Sequence, residues 1–292
     1  MNDARSATFR KSTLQTALRA ILVGGSTLLL TPLASAADVI SDGEFLASSW
    51  TVQLAGVGFG GTGSSTREGG GGNPDARRRV QTSVLNAPNG ATQSMLWVVH
   101  IRNGYSYNPA SRGALTSISL AEDCQSLTLP PVPQMTGPLV RQNGVVYVAR
   151  GTDTGNVVGW HRVTGAAFTQ NSFVLLDTSD PVDGVEQSLH PNFGASGAPI
   201  EVGFFRALGS GLGGGLKAAD QSVDNLVLTV TPAAGCVGDL NGDNAVNTQD
   251  LTAFLGRFGQ TVTPGSAGDL NNDGAVNTQD LTAFLGRFGA TC

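Results

Sequence analysis

Residues 238–259 read "GDLNGDNAVNTQDLTAFLGRFG", and residues 268–289 repeat them as "GDLNNDGAVNTQDLTAFLGRFG", thirty positions later with two differences. Oxygen-bearing side chains fall at loop positions 1, 3, 5, 9 and 12 of each copy. They are Asp239, Asn241, Asp243, Asn247 and Asp250, then Asp269, Asn271, Asp273, Asn277 and Asp280. A loop of this kind can wrap a hard cation in about six to eight oxygens, with position 7 giving a main-chain carbonyl. Those carbonyls would be Ala245 and Ala275. Position 6 must turn sharply, which Gly274 does freely and Asn244 tolerates next best. Val246 and Val276 at position 8 are small apolar residues expected to let the two loops pair.

Three carboxylates and two amides per loop favour Ca²⁺ over Mg²⁺, which demands tight octahedral geometry and keeps its waters. An Asp/Asn-rich turn could arise once by chance, but two copies at a fixed interval point to a metal site. After each loop, Leu251, Phe254, Leu255 and Phe258 fall at i, i+3, i+4 and i+7, as do Leu281, Phe284, Leu285 and Phe288. Each loop therefore launches an amphipathic helix. The preceding segments "TPAAGCVG" and "TVTPGSAG" contain Pro and Gly and cannot form an entering helix.

The ligand spacing is that of the EF-hand, and a loop followed only by its exiting helix, written twice, resembles a type I dockerin over residues 236–292. That resemblance implies two calcium ions and a partner, a cohesin-like or other surface receptor protein. The Gly235-Cys236 flank and terminal Cys292 look like a subtype found at the ends of secreted proteins. The chain departs from the cellulosomal pattern of a Ser/Thr pair at loop positions 10 and 11 and basic residues at 17 and 18. It carries Thr248-Gln249 and Leu255-Gly256, then Thr278-Gln279 and Leu285-Gly286, with Arg257 and Arg287 one place later. Near-identity of the copies would let two helices present one face in two orientations; a recent duplication without functional constraint is the alternative.

The rest of the 292 residues is poor in charge (13%), rich in glycine (40 residues) and net −5, which gives no general attraction to nucleic acid or acidic membranes. Arg10, Lys11 and Arg19 precede the apolar run "AILVGGSTLLLTPL" and then "ASA" at 34–36, the pattern of a signal peptide over residues 1–36. Its removal takes away four basic residues and Asp3, moving the net charge from −5 to −8. The apolar run is short for a membrane span, and no second one follows, so the expectation is export with no membrane span after cleavage. Cys236 and Cys292 bracket the repeats and are the expected disulfide, which would stabilise the small tail by roughly 4 kcal/mol. Cys124 follows Glu122 and Asp123, whose charges disfavour a thiolate, so it reads as buried and inert.

Residues 37–232 alternate short β-favouring runs with turns: "TVQLAG", "SMLWVVHI", "ALTSISLA", "NVVGWHRV", "SFVLLD", "IEVGFFRA" and "VDNLVLTV". "LVRQNGVVYVAR" is a hairpin about Asn143-Gly144. "GFGGTGSSTREGGGGNP" at 58–74 reads as a long flexible loop. The fold class is all-β, a jelly-roll-like β-sandwich followed by a small α-helical calcium-binding tail. The ends of the sandwich are similar to galactose-binding-like or concanavalin-like carbohydrate-binding modules. That likeness implies a polysaccharide ligand and a third, structural calcium at Asp42, Glu44 and Asp224, where ordinary surface or turn carboxylates are the competing reading.

Catalytic signals are sparse. There is no H-E-x-x-H or G-x-S-x-G. His100, His161 and His190 sit in unrelated contexts. Asp177, Asp180, Asp183 and Glu186 cluster in a polar loop that reads as solvated, although a glycosidase needs two facing carboxylates. Trp50, Trp97 and Trp160 read first as strand core; Trp160, beside His161 and Arg162, has the most polar surroundings for stacking on a sugar. Arg77–Arg79 could grip an anionic glycan or form a charged strand edge. Three readings of the sandwich stay open: a glycan-binding module, a glycoside hydrolase acting on polysaccharide, and a structural surface protein without a glycan ligand.

Overall fold

The computed structural model describes residues 37–292 apart from 59–60, 86–93, 181–182, 195, 211–214, 234, 236, 244, 263, 265, 272 and 292. The expected signal peptide, Asn244 and both cysteines of the expected disulfide, Cys236 and Cys292, lie outside the described residues.

The larger region runs β1 (Asp38–Asp42), β2 (Trp50–Val57), β3 (Gly61–Glu68), β4 (Arg77–Leu85), β5 (Met95–Arg102), the single turn α1 (Pro109–Arg112), β6 (Leu115–Ser126), β7 (Met135–Gln142), β8 (Val145–Ala149), β9 (Thr152–Asp153), β10 (His161–Thr164), β11 (Phe173–Leu176), β12 (Val185–Glu186), β13 (Ile200–Gly209) and β14 (Leu216–Pro232). Sheet 1 has the order β10-β6-β14-β4-β3, with β1 also on β14; sheet 2 has the order β12-β11-β8-β7-β13-β5-β2, with β9 also on β7. The chain alternates sheets through β4, β5, β6 and β7. β13 then inserts between β5 and β7, and β14 between β4 and β6. This is the jelly-roll pattern, a sandwich of two antiparallel sheets.

Residue patterning explains each layer. From Leu226 onward β14 alternates buried and half-exposed positions, sending Leu226, Leu228 and Val230 into the space between the sheets against Ile118 and Leu120 of β6 and Phe204 of β13. β5 is buried at every position but the last. Val98 joins that interior, while Trp97, Val99 and Ile101 join a second cluster with Phe205 and Leu139. A continuous apolar run is the signature of a strand covered on both faces. Gly203 allows β13 to pass close to β5, because a methyl group there would overlap the His100 carbonyl.

Asn143 and Gly144 have φ of 54° and 79°, the pair of positive values that a two-residue turn between β7 and β8 requires. Two other expectations need correction. Residues 61–68 of the glycine-rich stretch form β3, an edge strand on β4. Thr62 and Ser64 meet Ser83 and Gln81 through their hydroxyls, and Gly63 leaves room for Leu96. The "NVVGWHRV" run forms strand only from His161; residues 156–160 are bend and irregular backbone.

One ion pair sits in the interior. Arg206 and Glu122 are both 0% exposed and meet at 2.7 Å, with the Thr136 hydroxyl donating to the same carboxylate oxygen at 2.8 Å. Glu122 Oε2 and Arg206 Nε and Nη2 have no hydrogen-bond partner among the described residues. Desolvation offsets much of the attraction in such a pair, whereas removing one partner would strand a buried charge.

In the tail, α2 (Thr248–Leu255) and α3 (Thr278–Leu285) follow the two loops. Asn247 and Asn277 cap them, each accepting from the amide two residues on at 2.7 Å. Phe254 and Phe284 stack at 5.6 Å between centroids and are fully buried with Val246 and Val276. The expected four-residue stripe is narrower than that. Leu255 and Leu285 are 54% and 55% exposed, and Phe258 and Phe288 lie beyond the helix ends with 43% and 44% exposed. After Leu255 and Leu285 the chain continues as turn, with Gly256 and Gly286 still right-handed at φ −63° and −65°, and reverses at Gly259 and Gly289, whose φ values are 83° and 87°.

Candidate metal centre

The two loops fold into matching cradles. In the first, one oxygen from each of Asp239, Asp243 and Asp250 lies within 4.8 Å of the others; in the second the same holds for Asp269, Asp273 and Asp280. The structure thus brings together the three carboxylates of each loop that the spacing singled out. The main chain holds them there. Asp250 Oδ1 accepts from Leu240 N at 2.8 Å and Asn241 N at 3.0 Å, and its Oδ2 accepts from Asn247 N at 2.9 Å. Asp280 repeats this with Leu270 N at 2.8 Å, Asn271 N at 3.1 Å and Asn277 N at 2.8 Å. The residue at position 12 is therefore also the third helical residue of a capping box, which ties the loop to its helix.

The remaining candidates line the same loops. Asn241 and Asn247 each donate to Asp243 Oδ2, at 3.0 and 3.2 Å; Asn271 and Asn277 donate to Asp273 Oδ2 at 2.8 and 3.3 Å. The amide of Ala245 donates to Asp243 Oδ1 and that of Ala275 to Asp273 Oδ1, both at 2.9 Å. The hydrogen bond from the Asn241 side chain, above all, lowers the pKa of Asp243, and that from Asn271 lowers the pKa of Asp273. Asp250 and Asp280 are 0% exposed. Among the described residues, neither they nor Asp243 and Asp273 form an ion pair with a basic side chain. A buried carboxylate held by main-chain amides beside two others fits a divalent cation that offsets their repulsion.

The loops do not pair with each other as expected from Val246 and Val276. Val246 N donates to Ala290 O at 2.8 Å and its carbonyl accepts from Gly289 N at 2.7 Å. Val276 makes the equivalent bonds to Gln260 and Gly259, at 2.9 and 2.7 Å. Each loop thus pairs with the segment leaving the other loop's helix. Without entering helices, these segments are the available backbone. The exchange is reciprocal and gives the tail a pseudo-twofold symmetry that no local pattern encodes.

The candidate third ion fares differently. Among the described residues only the two tail groups bring three such carboxylates together. Both oxygens of Asp42 are committed: Oδ1 to Glu44 N and Phe45 N at 2.9 and 2.7 Å, and Oδ2 to Trp50 Nε1 at 2.8 Å and Arg102 at 2.5 Å. Glu44 pairs with Arg67 at 2.8 Å. Asp224 supports a bulge in β14, accepting from Asn73 N and from Asn225 N, the latter at 2.6 Å, and burial raises its pKa.

Other sandwich candidates separate by environment. Trp50 and Trp97 are core, at 4% and 0% exposure, whereas Trp160 is half-buried just before β10. Arg77 and Arg79 are neutralised by Glu68 and Asp220, and Arg78 points into the interior. β4 lies between β14 and β3, so the arginines are not a strand edge. His100 stacks on Phe204 at 4.2 Å, and burial holds its pKa well below the usual value. Asp177 and Glu186 have pKa values lowered by hydrogen bonds from Ser179 and Ser188, the reverse of a general acid's raised value. Asp183 pairs with Arg150 at 2.9 Å.

The tail is a duplicated loop-and-helix module whose two carboxylate groups could each hold a cation. Residues 237–284 match the family model of the dockerin type I domain, and the tail is such a domain, set after a β-sandwich. No curated protein matches the chain by sequence. Among solved structures, a carbohydrate-binding module of the β-sandwich superfamily described for promiscuous specificity aligns at 7% identity and TM-score 0.34, over 64% of this chain and 60% of that chain's length. The CBM22-1 xylan-binding domain from Paenibacillus barcinonensis Xyn10C aligns at 11% and 0.34, over 69% of this chain and 99% of its own. The C-terminal family 22 module of Clostridium thermocellum Xyn10B aligns at 7% and 0.35, over 68% and 96%.

Proposed function

We propose that this chain is an exported, calcium-dependent attachment protein. Its tail holds two Ca²⁺ ions and docks on a cohesin-like receptor, and its sandwich engages polysaccharide. The observation that carries the reading is the pair of carboxylate cradles, alike in every main-chain bond to Asp250 and Asp280. Asp239, Asn241, Asp243, Asn247 and Asp250, with the Ala245 carbonyl, would hold one ion; Asp269, Asn271, Asp273, Asn277 and Asp280, with the Ala275 carbonyl, the other. The cation supplies charge compensation that fixes loop and helix together. Leu255 with Phe258, and Leu285 with Phe288, would offer the receptor two equivalent apolar contacts. Leu255 and Leu285 stand where cellulosomal recognition uses a basic residue, while Thr248 and Thr278 keep one hydroxyl of its Ser/Thr pair.

Export is supported by the pattern of residues 1–36, and no helix among the described residues is long and apolar enough to cross a membrane. Polysaccharide as ligand is supported by the kind of cargo that dockerin modules carry. Isothermal titration of residues 37–292 with Ca²⁺ should give two sites, and Asp239→Ala and Asp269→Ala should each remove one. Capture of a cohesin by the calcium-loaded chain, abolished by chelator, tests the partner; no calcium binding would sink the whole reading.

A further inference from the structure

A pocket of about 440 Å³ opens at one end of sheet 2, away from the tail's calcium loops in sequence and unused by the function above. The register explains why it is there. Met95 begins β5 opposite Gly209, Met135 begins β7 opposite Ala207, and Asp153 of β9 pairs with Met135. Met95, Met135, Ala207 and Pro133 make an apolar lining, and Arg150, Asp153, Asp183 and Lys217 supply charge. Two cations and two anions leave the pocket neutral overall.

Much of its hydrogen-bonding capacity is unspent. Arg150 gives one terminal nitrogen to Asp183, and Lys217 Nζ gives one bond to Gly209 O at 2.8 Å. Asp153 Oδ1 accepts from Gly155 N at 2.7 Å, and its other oxygen has no partner among the described residues. Gln134, only 1% exposed, donates to Thr82 at 2.6 Å, yet its Oε1 is buried without a partner. That oxygen has no accessible surface, so the capacity open to a ligand is that of Asp153, Arg150 and Lys217. The volume lies in the range of small-ligand sites, roughly 300–1,000 Å³.

We propose that this pocket receives a neutral sugar unit of the polysaccharide, its apolar ring face on the Met and Pro side chains and its hydroxyls on Asp153 and Lys217. The proposal rests on the glycan-binding reading and locates it. An anionic sugar fits less well, because Asp153 and Asp183 offset the two cations.

The test is titration of residues 37–292 with neutral xylan, mannan and β-glucan and with polygalacturonate, for the wild type and for Asp153→Asn, Lys217→Met and Trp160→Ala. Asp153→Asn keeps an oxygen for Gly155 N, so its thermal midpoint should match the wild type. The expected result is binding of at least one neutral polymer, weakened about tenfold or more by Asp153→Asn and by Lys217→Met, and retained by Trp160→Ala. Undiminished binding in both pocket variants, or loss only in Trp160→Ala, overturns the pocket and leaves the glycan reading standing. Preference for polygalacturonate overturns the charge argument. No binding by the wild type overturns both.

Discussion

Replacing Asp250 by alanine tests the idea that one carboxylate serves both the metal loop and the helix. Three amides lose their acceptor: Leu240 N, Asn241 N and Asn247 N, now held at 2.8, 3.0 and 2.9 Å. A hydrogen bond to a charged group contributes about 1.5–3 kcal/mol. The three share one side chain, and exposed Asn241 regains water when the loop opens, so the loss is about 3 kcal/mol rather than the sum. That is comparable with what a core of this size supplies. Thermal unfolding of residues 37–292 followed by far-ultraviolet circular dichroism should lose its helical transition in chelator, and calorimetric titration should find one calcium site. Asp280→Ala should match it within about 0.5 kcal/mol, because its bonds of 2.8, 3.1 and 2.8 Å are nearly the same. Asp250→Asn should fall between, keeping one oxygen but turning an NH₂ toward Asn247 N. An Asp250→Ala chain with unchanged melting in chelator and two intact sites would refute the reasoning.

His100 gives the sandwich a pH dependence: its pKa is depressed on folding, so the unfolded chain takes up a proton near pH 6.5 that the folded one refuses. Stability is full above that value and falls by up to about 1.4 kcal/mol per unit as pH drops below it, a slope that urea titrations should find reduced in His100→Phe. Burial pushes the Cys124 thiol up to about 12, so a maleimide at pH 8 should label the native chain negligibly and the denatured chain once, if Cys236 and Cys292 are joined. Arg206→Met should cost about 3–5 kcal/mol by stranding Glu122, while adding Glu122→Leu should recover most of it in a double-mutant cycle of denaturant midpoints.

The cradles were legible because a metal loop is local: every ligand lies within twelve residues, and the duplication repeated the signal. The same holds for the Asn143-Gly144 turn, whose two positive φ values depend on those two residues alone. The sequence by itself therefore determined the duplicated carboxylate loops, a helix after each and the all-β class of the larger region. Other features depend on partners far along the chain. The glycine-rich 61–68 segment has weak strand propensity and became β3 only because β4 offered an open edge and Leu96 needed the space that Gly63 leaves. Arg206 and Glu122 are 84 residues apart and meet only across the two sheets. The reciprocal pairing of Val246 with Ala290 and of Val276 with Gln260 required the whole tail to close on itself. Likewise Met95, Met135, Asp153 and Lys217 share no motif: strand register aligns the first three in sheet 2, and packing of the sheets brings Lys217 of β14 to the same pocket. Local chemistry is written residue by residue, whereas burial and pocket formation are set by which distant backbones pair, and only the tertiary structure decides that.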